Sequence, residues 1–81
     1  MTVAVKLFAG AREAAGQAEL SIELPEPASV ADVRAALAAA CPALAPLLPS
    51  CQIAVNGAYA APSSVVAATD ELALIPPVSG G

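Results

Sequence analysis

Between Pro27 and Pro42 lies the one stretch of this chain suited to a long helix. Proline breaks helix interiors, because it lacks an N–H and its ring clashes with the preceding turn. "ASVADVRAALAAA" contains none. It opens with Ser29 as N-cap and sets Asp32 where the helix dipole favours negative charge. Val30, Val33, Leu37 and Ala40 recur at helical spacing, which predicts a single apolar face. The other regular segments alternate as strands do. "TVAVKLF" points Val3, Val5 and Leu7 one way and Ala4, Lys6 and Phe8 the other. "AELSIEL" sets Leu20, Ile22 and Leu24 against Glu19, Ser21 and Glu23. "QIAVNG" is a short strand closed by the hairpin pair Asn56-Gly57, and Tyr59 starts a brief return strand. In "ELALI", Leu72 and Leu74 oppose Ala73 and Ile75. One helix and several one-faced strands leave a two-layer α+β domain as the solution.

The remaining segments are connections. "GAREAAG" reads as a short helical turn or loop between two glycines, and Pro25 and Pro27 end the second strand. "CPALAPLLPS" is too rich in proline for regular structure. "APSSVVAATD" is a connection with room for one helical turn after Ser63 or Ser64. Pro76 and Pro77 cannot both join a ladder, so the chain leaves the sheet there. A hairpin, a helix and further strands in 81 residues is the order of the β-grasp (ubiquitin-like) fold. The expectation is a mixed sheet covered on one face by one main helix. It places a domain at residues 1–75 and an extended tail, ending in Gly-Gly, at 76–81. A chain of this length buries about 60–65% of its unfolded surface.

Composition removes several functions. Seven acidic and three basic residues leave a net charge of -4, which argues against phosphate-backbone binding. Stacking platforms for nucleic acid are also missing, since Phe8 and Tyr59 are the only aromatic residues. Every apolar run is too short to cross a bilayer, and the first ten residues lack a signal-peptide pattern, so a cytoplasmic location is expected. Without His and with two Cys, no zinc or iron–sulfur site is expected. Cys41 and Cys51 flank the proline-rich loop, either as a redox or disulfide pair or as two small hydrophobes in a reducing compartment; the compartment favours the second. No triad or glycine-rich phosphate loop is present, and Asp70-Glu71 reads as a solvated turn. Charged residues make up only 12%, a lean surface of the kind found in subunits of complexes.

That leaves the end of the chain. Gly80 and Gly81 carry no side chain to clash in a narrow channel, and Pro76-Pro77 hold the last residues extended. "PPVSGG" therefore reads as a stiff stalk with a slim tip. Its carboxylate becomes an electrophile once a nucleotide-using enzyme converts it to an acyl-adenylate.

Three stretches carry a family resemblance. The tail "PPVSGG", the pattern F-A-x-x-R-E-x-x-G through Phe8, Ala9, Arg12, Glu13 and Gly16, and "AVNG" at Ala54–Gly57 together span the chain. In these it resembles the small, sulfur-carrier subunits of molybdopterin synthase. It departs from them at Thr69, where a glycine is common before Asp-Glu, and at Ile75, where an aromatic often precedes the prolines. The resemblance implies that an E1-like enzyme adenylates Gly81 with ATP. A sulfur donor protein then displaces AMP to leave a thiocarboxylate. The large catalytic subunit of the synthase receives the tail, in a heterotetramer, and the sulfur attacks the cyclic pyranopterin precursor. No cofactor would be bound stably; the glycyl-adenylate is transient. The protein would be a non-catalytic subunit, with Gly81 and Gly80 as its reactive end.

Alternation adds a docking surface. If the helix covers Val5, Leu7 and Leu74, then Phe8, Ile75 and Tyr59 fall on the open face, next to Pro76, Pro77, Val78 and Ser79 of the tail. Arg12 and Glu13 either touch a partner or hold the turn. Two other functions suit the same tail: a carrier for thiazole or cysteine synthesis, and a ubiquitin-like modifier of lysines. A binding module with an incidental tail is the third alternative.

Overall fold

Strict alternation along the first strand decides the layering. The computed structural model describes residues 1–77, and the expectations for Val78, Ser79, Gly80 and Gly81 lie outside them. Strand β1 (Thr2–Leu7) buries Val3, Val5 and Leu7 and exposes Thr2, Ala4 and Lys6. The chain continues through helix α1 (Ala9–Ala15), β2 (Glu19–Glu23), β3 (Ala28–Ser29), helix α2 (Val30–Ala40), β4 (Gln52–Val55), β5 (Ala58–Tyr59), β6 (Val65–Val66) and β7 (Leu72–Ile75). The main sheet has five strands in the order β2-β1-β7-β4-β5. β1 and β7 run parallel at its centre, and the other neighbours are antiparallel.

Register places the core residues in rows across the sheet. Leu7 pairs with Leu74, and Leu74 with Ile53; Leu20, Val5, Leu72 and Val55 form the next row. Helix α2 covers these rows with Val30, Val33 and Leu37. Its start follows the sequence. Ser29 Oγ accepts from Asp32 N–H at 3.3 Å, and Asp32 Oδ2 accepts from Ser29 N–H at 2.8 Å, a capping box. Ala40, the last residue of α2, is exposed rather than on the buried face, which ends at Leu37.

The proline-rich loop is more regular than expected. Pro42–Leu44 and Leu48–Ser50 are 3₁₀ turns, each with proline in its first two positions, where a missing N–H costs nothing. They bury Leu44 and Leu48. The expected helical turn after Ser63 is instead β6, which pairs antiparallel with β3 in a two-stranded sheet. At the β4–β5 turn, Asn56 and Gly57 both take positive φ, at 51° and 85°, as a tight hairpin demands.

Candidate functional site

Because β1 and β7 are parallel and paired Leu7 to Leu74, the next residues, Phe8 just past β1 and Ile75 at the last position of β7, come at the same end of the sheet and on the same open face. There the chain changes course twice. After Phe8, Ala9 takes φ 48° and α1 begins at once. Helix α1 buries Ala11 and ends at Gly16, whose φ of 73° explains why a glycine closes this segment. After Ile75, the prolines leave the ladder, as expected.

Phe8, Ile75, Pro76 and Pro77, from the ends of β1 and β7, and Leu47, Ser50 and Cys51, from the loop before β4, line one cleft of about 580 Å³ together with Ala9 and Gly10. The lining is mostly apolar. Phe8 is 47% exposed, and Ile75 and Pro76 are half-buried. Phe8 and Ile75 are thus brought together, as alternation implied. Tyr59 stands apart: it is 64% exposed on β5, separated from β7 by β4, and does not line the cleft. It pairs with Ala54, which pairs in turn with Ala73. Lys6, paired with Ala73 from the other side, forms an ion pair with Glu71 at 3.1 Å. Arg12 and Glu13 are exposed on α1 and border a shallow hollow with Gly16 and Gln17, not the cleft.

Leu47, Ser50 and Cys51 are not legible in the sequence as site residues. The only signal is a pair of leucines among prolines, too large and apolar for a solvated loop. Both thiols are free. Cys51 is buried, donates to Leu47 O at 3.1 Å, and burial pushes its thiol above the usual range, against a smaller opposing pull from Arg34. Such a thiol is a poor nucleophile. Arg34, unremarked in the sequence, donates through Nη1 to Leu48 O at 2.7 Å and through Nη2 to Cys51 O at 2.6 Å.

The "AVNG" segment is structural. Asn56 Nδ2 donates to Asp70 Oδ1 at 3.0 Å, and Asn56 Oδ1 accepts from Glu71 N–H at 2.9 Å. Asp70 Oδ2 accepts from Ala67 N–H at 2.7 Å. The backbone bond from Ala67 and then the Asn56 amide hold the Asp70 carboxyl below its usual range. Among the described residues no cluster of His, Cys, Asp or Glu could hold a metal, and no helix is long and apolar enough to cross a membrane.

Comparison with known proteins gives a consistent set. Residues 5–81 match the model of the ThiS family. The molybdopterin synthase sulfur carrier subunit of Chlamydomonas reinhardtii is 41% identical over all of both chains. Small archaeal modifier protein 1 of Haloferax volcanii is 40% identical over 94% of this chain and 97% of its own. Its crystal structure matches with a TM-score of 0.88 at 37% identity over all of both chains. A complex of subunits 1 and 2 of the molybdopterin-converting factor from Helicobacter pylori contains a chain with a TM-score of 0.72 and 26% identity, again over all of both.

Proposed function

The chain belongs to the ThiS family, with the ubiquitin-like β-grasp fold, and on that premise we propose that it is the sulfur carrier subunit of a molybdopterin synthase. Its partner is the large catalytic subunit, in a heterotetramer; support comes from the similar chain found in a complex of the two subunits. One observation carries the reading: the open apolar cleft sits where the chain leaves the sheet toward Gly81. A partner that grips Phe8 and Ile75 receives Pro76, Pro77, Val78 and Ser79 as the lead-in to Gly80 and Gly81.

The chemistry is then a relay. An E1-like enzyme joins the Gly81 carboxylate to the α-phosphate of ATP and releases pyrophosphate. The persulfide of a sulfur donor protein displaces AMP to give an acyl disulfide, and a thiol cleaves its S–S bond, leaving the thiocarboxylate and a donor disulfide. In the large subunit the sulfur attacks a carbon of the cyclic pyranopterin precursor as that carbon's oxygen departs, and water cleaves the resulting thioester, leaving sulfur on the pterin and restoring the carboxylate. Two deliveries build the dithiolene. This chain supplies no acid or base and no stably bound cofactor; the nucleotide is held by the activating enzyme. The relay runs in the cytoplasm.

The test is the intact mass of the protein from its native cells. One oxygen replaced by sulfur at Gly81 is expected, and deletion of Gly81 should abolish dithiolene formation. Absence of sulfur even after incubation with activating enzyme, donor and ATP refutes the carrier reading. The likeness to small archaeal modifier protein 1 favours a second reading, conjugation to lysines. Isopeptide-linked adducts of Gly81 in cell extracts would identify it.

A further inference from the structure

We infer that Arg34 is a positioning residue for docking: it holds the loop that helps line the cleft in place without touching the partner. The inference rests on the sulfur-carrier reading for the identity of that partner.

Strand β5 is only two residues long, so the outer side of β4 loses its ladder soon after Ala60 N–H donates to Ile53 O at 3.0 Å. Cys51, two residues before Ile53 and just ahead of β4, has by the same alternation its carbonyl on that side, where β5 pairs only with Ala54 and Val55. Arg34 supplies the donor at 2.6 Å. Its other nitrogen reaches Leu48 O at 2.7 Å, inside the second 3₁₀ turn. The guanidinium fork thus ties both ends of the Leu48–Cys51 segment to α2. Among the described residues no carboxylate lies within ion-pair distance of it, so its charge is directed at these two carbonyls.

The tied segment is part of the cleft wall. Leu47, Ser50 and Cys51 line the same cleft as Phe8, Ile75 and Pro76. The local bonds of this wall are short-range 3₁₀ contacts, Ser50 N–H to Leu47 O and Cys51 N–H to Leu48 O, each at 3.1 Å. Such turns have poor hydrogen-bond geometry and hold a shape weakly alone. A wall that wanders must be ordered when the partner binds, and that ordering lowers affinity. Arg34 fixes it beforehand.

The experiment uses the full chain carrying its thiocarboxylate, with the large catalytic subunit and the pyranopterin precursor. R34Q is expected to raise Kd for the large subunit, and KM for the thiocarboxylated chain, by about tenfold, equivalent to one to two charged hydrogen bonds partly lost. kcat at saturation should not change. R34K should recover part of the affinity, since an ammonium can serve one carbonyl but does not reproduce the fork. An R34Q protein with lowered thermal stability but wild-type Kd and KM overturns the inference. If R34Q does not fold, R34K decides: raised Kd at unchanged kcat supports it, and wild-type Kd overturns it. If the wild-type chain does not bind the large subunit, the carrier reading falls instead. The clamp is then judged by amide exchange at Ser50 and Cys51 in the isolated chain, where faster exchange in R34Q supports it and unchanged exchange overturns it.

Discussion

Replacing Phe8 with Asp separates docking from folding, because Phe8 has two unrelated roles. It is the N-cap of α1, in extended conformation, with its carbonyl accepting from Ala11 N–H at 3.1 Å and no side-chain cap. It is also the largest exposed apolar group of the cleft, at 47%. Full burial of a phenylalanine contributes about 1.5–3 kcal/mol, so the half already buried stabilises the fold by about 1 kcal/mol. Asp loses that, but it is a preferred N-cap and returns about 1 kcal/mol by accepting from the free N–H groups of α1. The expected change in folding stability is close to zero. Docking fares differently. The exposed half is worth about 1 kcal/mol to a partner that covers it, or about fivefold in Kd. A carboxylate held against the apolar wall adds a desolvation cost of several kcal/mol, so the total loss is at least about a hundredfold. Phe8→Ala is the control: like Phe it makes no side-chain cap, so it should lose the burial of about 1 kcal/mol of folding stability and only the fivefold in affinity. Urea denaturation and titration calorimetry against the large subunit measure both quantities. An F8D protein that binds within about threefold of wild type refutes the docking surface. An F8D protein much less stable than F8A refutes the capping argument.

Single contacts give further predictions. The depressed Asp70 pKa means that its stabilising contribution is present above its ordinary value of 3.8 and fades as pH falls through the lower folded value. The stability gap between wild type and Asp70→Asn should therefore narrow below that pH in urea titrations at a series of pH values. Leu74→Ala empties a fully buried position at the centre of the sheet and should cost about 2–5 kcal/mol by chemical denaturation. In reduced protein, iodoacetamide should label half-buried Cys41 before Cys51, whose thiol is buried, bonded to Leu47 O and raised in pKa; peptide mass spectrometry gives the order.

What the sequence discloses is governed by period and chemistry within short windows. Val3, Val5 and Leu7 alternate, Ser29 and Asp32 sit three apart, and Asn56-Gly57 fits one kind of turn; each signal is local, and each element forms where it is expected. Pairings between distant residues are not legible. β3 and β6 have two residues each, too few to show any period, and their pairing joins positions 38 residues apart, Ala28 with Val66. The placement of Leu47 and Cys51 in the same cleft as Phe8 likewise depends on how the loop returns from α2. Spacing alone assigns Ala40 to the core, but the buried face of α2 ends at Leu37. Tyr59 has the parity of the open face, but parity does not tell how many strands away a residue lies. Arg34 stays hidden because an arginine on a helix gives no hint that backbone carbonyls elsewhere lack donors.

The central position of β7 has a mechanical consequence. Under the proposed relay, a tail drawn into another protein's active site would pull on its root at Ile75. β7 is bonded to β1 on one flank and to β4 on the other. A pull along its axis loads both rows of hydrogen bonds in shear, so they must fail together instead of unzipping one at a time. An edge strand such as β5 could be peeled away. The root of the proposed relay's tail is thus set in the part of the sheet most resistant to such a pull, with the domain behind it as a rigid handle.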